Sequence, residues 1–237
     1  MTNPNEVEGD RSGAPRAITW LWPLVVLFAG SVALLGAHIA AVLVTGRSFG
    51  FDAPILLALR VPGHLDVPIG PVWLRQSAID ISALGGFTLM WLFGGSFIAA
   101  LVMLRRRAEA AWVAASLVGA SLISTGLKDI IHRPRPALVP HLVWVDNASF
   151  PSGHALISAA TYLTIALMLA GLVRRRAARA AIVAFFSAVV VLIGCSRVYL
   201  GVHWPSDVVA GWCFGTVWAI AVFWVNRWLR AKVRITP

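Results

Sequence analysis

Lys128 and Arg135, then Ser152, Gly153 and His154, then Arg197, His203 and Asp207 stand in three short blocks of an otherwise apolar chain. The blocks are Lys128 through Arg135-Pro136, Pro151-Ser152-Gly153-His154, and Ser196-Arg197 followed by His203 and Asp207. They supply three cations, two imidazoles and one carboxylate. Fixed cations hold an oxyanion, an imidazole attacks or carries a proton, and a carboxylate orients an imidazole. The inventory suits phosphoryl chemistry: hold a phosphate, attack it with one imidazole, protonate what leaves.

Each block has a physical logic and a plainer alternative. Arg135 lies in a turn stiffened by Pro134 and Pro136, and proline ends the helix before it. An arginine held this way offers a planar fork to phosphate oxygens, and Lys128 adds a compact charge. Alone, the pair also fits interfacial anchors that snorkel to headgroups. The second block opens an apolar run. Unpaired N–H groups at a helix start attract an anion, and Gly153 permits its close approach. Ser152 caps that helix or bonds a phosphate oxygen. In the third block His203 and Asp207 are four apart, which on a helix is one face. The carboxylate then holds one imidazole nitrogen and leaves the other free to attack. Asp207 equally suits a helix N-terminal cap.

These blocks need a scaffold, and the composition says it is a membrane one. The chain has 237 residues, 59% hydrophobic and 13% charged, against about 25% charged in ordinary soluble domains. Six apolar runs, at about 20–44, 84–104, 110–129, 154–173, 179–197 and 206–227, are each long enough to cross a bilayer core. They leave too little polar surface for a soluble helical protein. The first run is too long for a signal-peptide core and is kept as a span. The expected fold is an all-α, six-transmembrane-helix bundle over residues 17–230 with outward-facing active-site loops. Residues 1–16 read as a disordered cytoplasmic tail and 231–237 as a basic cytoplasmic tail. Gly30, Gly36, Gly94, Gly95, Gly119, Gly194, Gly211 and Gly215 are expected to let helices approach closely.

Charge sets the orientation. Thirteen basic residues, among them Arg11, Arg16, Arg105–Arg107, Arg174–Arg176 and Arg234, fall on one side and seven on the other. The positive-inside rule places both termini in the cytoplasm and all three blocks outside. The net charge of +10 follows from this topology, so no nucleic-acid partner is expected. The first outer segment, 45–83, carries Phe51, Ile55, Leu56 and Leu59 near helical spacing beside Asp52. It fits an amphipathic helix at the interface or a packed cap.

The combined pattern resembles the type 2 phosphatidic acid phosphatase and vanadium haloperoxidase superfamily. It matches at Lys128, Arg135, Pro136, Pro151, Ser152, Gly153, His154, Ser196, Arg197, His203 and Asp207. The motif region covers about 80 residues, and the six-span layout extends the likeness over nearly the whole chain. The resemblance implies that His203 is the nucleophile and forms a phosphohistidine. It implies that His154 protonates the leaving oxygen and then activates water, and that Asp207 orients His203. Lys128, Arg135, Ser152, Gly153 and Arg197 would hold the phosphoryl oxygens. No metal or other cofactor is expected at so acid-poor a site.

The implied activity is that of an integral-membrane lipid phosphate phosphatase, in a bacterial cell membrane. Its expected partner is a lipid phosphate: phosphatidic acid, phosphatidylglycerol phosphate or undecaprenyl diphosphate. A lipid A phosphatase, a lipid-linked phosphotransferase and a non-catalytic lipid binder or transporter are the alternatives. The haloperoxidases of the superfamily are typically soluble, so the six spans argue against that branch.

Other polar residues carry smaller expectations. His132 is a candidate substrate contact, His38 a bonded core histidine, and His64 and His141 loop residues. Asp129 is expected to pair with Lys128 or Arg133. Cys195 and Cys213 read as small buried thiols. Asn147-Ala148-Ser149 fits a glycosylation sequon but adjoins the second block.

Overall fold

The computed structural model describes residues 21–233; the expected N-terminal tail, with Arg11 and Arg16, and residues 234–237 of the expected C-terminal tail, with Arg234, lie outside the described residues, while 231–233 continue α8. Where the chain is long and apolar it forms helices. These are α1 (Leu21–Val44), α4 (Phe87–Met103), α5 (Arg107–Ile131), α6 (Gly153–Leu172), α7 (Arg176–Tyr199) and α8 (Pro205–Val233). Five of the six expected runs agree with these bounds to within three residues at each end. The one at 206–227 is right in place, but α8 continues six residues beyond it.

The segment between α1 and α4 is richer than the expected loop. It holds α2 (Asp52–Ala58), strands β1 (Arg60–Val61) and β2 (His64–Pro68), and α3 (Val72–Ala83). The two strands form an antiparallel hairpin, a departure from an all-α fold. Helix α3 contains Arg75, Gln76 and Asp80, which break up its apolar pattern. Helices α3 and α4 meet at a 48° bend. Five helices are long and apolar enough to cross a membrane alone, and α3 and α4 qualify only as a bent pair. The chain is a multi-pass membrane protein.

Helix α6 lies at the centre, against α5, α7 and α8, with α1 on α8, α4 on α5 and α3 on α7. Small residues make the central pair close. A Cβ at Gly211 would stand 2.9 Å from the Ser152 carbonyl oxygen, and one at Gly215 would collide with that of Leu156. Gly30 and Gly95 meet nothing within 4 Å, so the expected role fails at those two positions. Buried Ser116 donates to the Ala160 carbonyl and shares a hydrogen bond with Thr164, joining α5 to α6. Such bonds hold helices together where lipid supplies no hydrophobic drive. Outward faces are apolar, with Leu27, Phe28 and Leu34 exposed on α1.

His38 corrects one expectation. It is exposed on α1 and meets the Phe49 ring edge-on at 6.5 Å, with no core hydrogen bond. Cys195 is exposed and Cys213 buried, both as free thiols. Helix α2 is the packed alternative: it sits on α8 with Asp52 and Leu56 buried, while Phe51, Ile55 and Leu57 face outward. Arg60, 2% exposed, donates to the Tyr199 carbonyl at 3.0 Å and so caps the last turn of α7 from the hairpin.

Candidate active site

The three sequence blocks meet at one end of the bundle because of which helix ends carry them. Lys128 is in the last turn of α5, Gly153 opens α6, Arg197 is in the last turn of α7, and α8 begins at Pro205. The Ser152 amide donates to the Asp207 carbonyl at 3.1 Å, which ties the start of α6 to the start of α8. A Cβ at Gly153 would lie 3.1 Å from Ser124 Oγ of α5. The segment 132–152 runs over the top and is pinned by Trp204 Nε1 to the Pro134 carbonyl and by the Leu142 amide to Leu200.

A cavity of about 380 Å³ opens among these ends. Six of the eight expected site residues line it: Lys128, Arg135, Gly153, His154, Arg197 and His203. The other two, Ser152 and Asp207, are fully buried behind it. Ser152 occupies the N-cap of α6, yet its side chain makes no capping bond and its Oγ has no partner among the described residues. That corrects the capping alternative and leaves the hydroxyl uncommitted.

The cations are held by neutral acceptors rather than by carboxylates. Arg197 donates to Ser82 Oγ of α3 at 2.6 Å, and its Nε has no partner among the described residues. Lys128 Nζ donates to the Ala148 carbonyl. Arg135 donates to the carbonyl and Oδ1 of Asn147 and to the Val202 carbonyl, at 2.6–2.7 Å. Neutral partners leave the positive charge available to an anion. Burial lowers the Arg135 guanidinium from its usual value, while Asp207 and Asp146 oppose that.

His203 is not on the same helix as Asp207, as the four-residue spacing suggests. It sits in the turn before α8. Its Nδ1 lies 3.6 Å from Asp207 Oδ2, beyond hydrogen-bond range. Ser149, fully buried, fills the gap: its Oγ donates to Asp207 Oδ2 and lies 3.4 Å from His203 Nδ1. The other nitrogen, Nε2, is 3.2 Å from Arg135 Nη1. Guanidinium is donor-only, so Nε2 accepts and the proton resides on Nδ1, toward Ser149 and Asp207. Burial, then Arg135, Arg197 and Lys128, holds the imidazole well below its ordinary value. Both effects favour the neutral imidazole, with its lone pair turned toward the cations.

Asp207 also serves the helix it begins. Its Oδ2 accepts from the Trp204 amide at 3.0 Å, which is the capping alternative, realised together with the link to His203. The bend between α3 and α4 at Gly85-Gly86 brings the backbone onto His154. A Cβ at Gly85 would lie 3.4 Å from His154 Cβ, and one at Gly86 would lie 3.7 Å from Nε2. His154 makes no hydrogen bond among the described residues, so its ring is free to serve the cavity.

Several residues of the site were not singled out by spacing. Arg133 donates to Asp207 Oδ1 at 2.5 Å and to Asp52 Oδ2 at 2.8 Å, and stacks over the Trp204 ring. Arg133 pairs with these two carboxylates and not with Asp129, which is exposed and makes no ion pair among the described residues. Ser149 belongs to the sequon, whose Asn147 is engaged by Arg135. His132, in the left-handed conformation, ends α5 and lies outside the cavity, with Nδ1 3.0 Å from the Lys128 carbonyl. Exposed His64 is in β2, and His141 lies in the loop. Among the described residues no three His, Cys, Asp or Glu side chains gather around a common metal position.

Comparison with known proteins places the chain in a family. Residues 109–231 match the model of the PAP2 superfamily. Phosphatidylglycerophosphatase B of Bacillus subtilis is 40% identical over 95 residues, 40% of this chain and 46% of that protein. The match thus spans less than half of that relative. Lipid A 1-phosphatase of Rhizobium etli is 32% identical over 187 residues, 70% of this chain and 72% of that one. The crystal structure of a transmembrane PAP2-type phosphatidylglycerolphosphate phosphatase from Bacillus subtilis superimposes with a TM-score of 0.73. It is 25% identical, over 88% of this chain and 98% of that one.

Proposed function

The chain belongs to the PAP2 superfamily, and on that premise we propose that it is a membrane lipid phosphate phosphatase working through a phosphohistidine at His203. The observation that carries this reading is the His203 imidazole. It is neutral, with its proton fixed toward Ser149 and Asp207 and its Nε2 lone pair facing Arg135.

A lipid phosphate enters with its oxygens toward Lys128, Arg135, Arg197 and the N–H groups that open α6 at Gly153. Ser152 Oγ adds a donor. Arg135 exchanges its bond to Nε2 for a phosphate oxygen, which frees the lone pair. Nε2 then attacks phosphorus, the bond to the leaving oxygen breaks, and His154, protonated once the negative charge of the bound phosphate offsets the surrounding cations, gives that oxygen its proton. The imidazole becomes cationic in this step, and Asp207, through Ser149, stabilises it. His154, now neutral, takes a proton from water. The water attacks phosphorus, the P–N bond breaks and phosphate departs. The three cations stabilise the charge on the equatorial oxygens throughout. The groups that act in these steps are side chains of this chain and the backbone N–H groups that open α6.

The substrates that suit the site are phosphatidic acid, phosphatidylglycerol phosphate and undecaprenyl diphosphate, with the 1-phosphate of lipid A as the second reading, favoured by the Rhizobium relative. The test is inorganic phosphate release from a panel of these lipids by the purified protein. Orthovanadate, a tetrahedral phosphate analogue that becomes five-coordinate when a nucleophile binds it, is expected to inhibit and EDTA to leave the rate unchanged. Loss of activity with EDTA, restored by a divalent metal, would overturn the mechanism.

In the membrane, α3 and α4 together count as one bent span, giving six. Residues 17–230 form the membrane domain, flanked by two cytoplasmic tails, in a bacterial inner membrane. The arginines at 105–107 and 174–176 stand at the far end of α5 and α7 from the site, about 36 Å away at 1.5 Å per residue. That asymmetry supports a cytoplasmic location for them and a site on the opposite face. Ser152 is too buried to report on topology, whereas Trp144 at the cavity mouth is 83% exposed. Trp144→Cys in intact cells is expected to react with an impermeant maleimide added outside. Labelling only after the cells are opened would reverse the orientation.

A further inference from the structure

We propose that Asp52, in the short helix α2, is a positioning residue that tunes the Asp207–His203 pair through Arg133; this rests on the phosphatase reading above.

Three charges lie in line within the protein. Asp52 is 2% exposed, Arg133 9% and Asp207 fully buried. Arg133 is shared: Nη2 donates to Asp52 Oδ2 at 2.8 Å, Nη1 to Asp207 Oδ1 at 2.5 Å and to Ser206 Oγ at 2.7 Å. Asp52 in turn accepts from the Ser206 amide at 2.9 Å and from Ser206 Oγ at 2.6 Å. The Ser206 amide is one of the unpaired donors at the start of α8, so Asp52 fixes the helix turn that carries Asp207.

Charge gives the second half of the argument. Asp207 with Arg133 alone is a neutral pair and offers little field to an imidazolium. Asp52 makes the cluster two carboxylates around one guanidinium, with a net charge of −1. That surplus lies behind His203, where positive charge develops when Nε2 attacks phosphorus. The groups around His203 from other elements are mostly cationic. They are Lys128 of α5, Arg135 of the covering segment, Arg197 of α7 and, when protonated, His154 of α6. Asp146 lies beside Arg135. Asp52 and Asp207 are the counterweight on the buried side.

The test uses the full-length protein and whichever panel lipid the wild type hydrolyses. Asp52→Asn is expected to lower kcat by about 10- to 100-fold, the usual cost of losing a partner one step removed from the reacting groups. KM stays within about twofold, because Lys128, Arg135 and Arg197 are untouched. The acid limb of kcat/KM shifts to lower pH, since losing a negative charge disfavours the imidazolium. Using one substrate for both proteins cancels the substrate's own titration. Asp52→Glu is expected to recover part of kcat and return the limb toward its wild-type position. Wild-type kcat in Asp52→Asn, or a lowered kcat with an unmoved acid limb, would overturn the inference. If Asp52→Asn does not fold, Ser206→Ala is read instead: reduced kcat at unchanged KM supports the linkage, and wild-type kcat overturns it. A wild type that releases no phosphate from any panel lipid refutes the phosphatase reading, and this inference with it. An active wild type with an indifferent Asp52→Asn refutes this inference alone.

Discussion

His203→Ala is expected to eliminate lipid phosphate hydrolysis, lowering kcat by roughly 10⁴-fold or more, as loss of an activated nucleophile does in other covalent hydrolases. The reason is local. Among the described residues lining the cavity, His203 has its lone pair turned toward the cations and its proton fixed on the opposite side by Ser149 and Asp207. Cysteine, which carries its own nucleophile, is absent from that lining. Substrate still binds the alanine variant, because the guanidinium and ammonium groups remain. Phosphate release by inorganic phosphate assay checks this, and turnover within tenfold of wild type would remove His203 from the mechanism.

Asp207→Asn is the second large effect, at about 10³-fold or more in kcat with little change in KM. The amide is isosteric, so the cavity keeps its shape. Two interactions change. Arg133 loses a buried charge partner at 2.5 Å, and Ser149 faces an amide that presents either an acceptor or a donor. The imidazolium formed on attack then has no full negative charge behind it. Because Asp207 also caps α8 through the Trp204 amide, the variant is expected to melt at a lower temperature, and thermal unfolding in detergent measures that separately. An Asp207→Asn protein that is both less stable and fully active would assign the residue to folding alone.

The gathering of six expected residues around one cavity was legible because they come in short stretches of chain. Lys128 to Arg135 and Ser152 to His154 each lie on one helix end and its adjoining turn, and Arg197 to Asp207 on the two helix ends that flank one short turn, so spacing along the chain reflects spacing in the protein. The buried support was not readable for the opposite reason. Asp52 meets Ser206 across 154 positions, and Arg133 meets Asp207 across 74. Asp52 looked like the polar edge of an amphipathic stretch, and Ser149 like the third residue of a sequon. The His203–Asp207 spacing suggested a direct bond on one helix face, but Pro205 begins α8 after His203 and swings the ring off that face.

The same contrast holds for the scaffold. Spans are legible from length and apolarity, whereas which face of a span points inward is not, since lipid and protein interior are similarly apolar. That is why His38 was expected inside and is exposed, and why Gly30 and Gly95 were expected at helix contacts they do not make. Helix α3 escaped notice because Arg75 and Asp80 interrupt its apolar residues, although Ser82 at its end holds Arg197.

The central claim is that one imidazole takes the phosphoryl group. Its most direct test is a rapid-quench experiment with a ³²P-labelled lipid phosphate, denatured in alkali, where phosphohistidine survives. Label is expected on a peptide containing His203 in the wild-type protein, and none in His203→Ala. Label on a different residue, or phosphate released by His203→Ala at the wild-type rate, would contradict it.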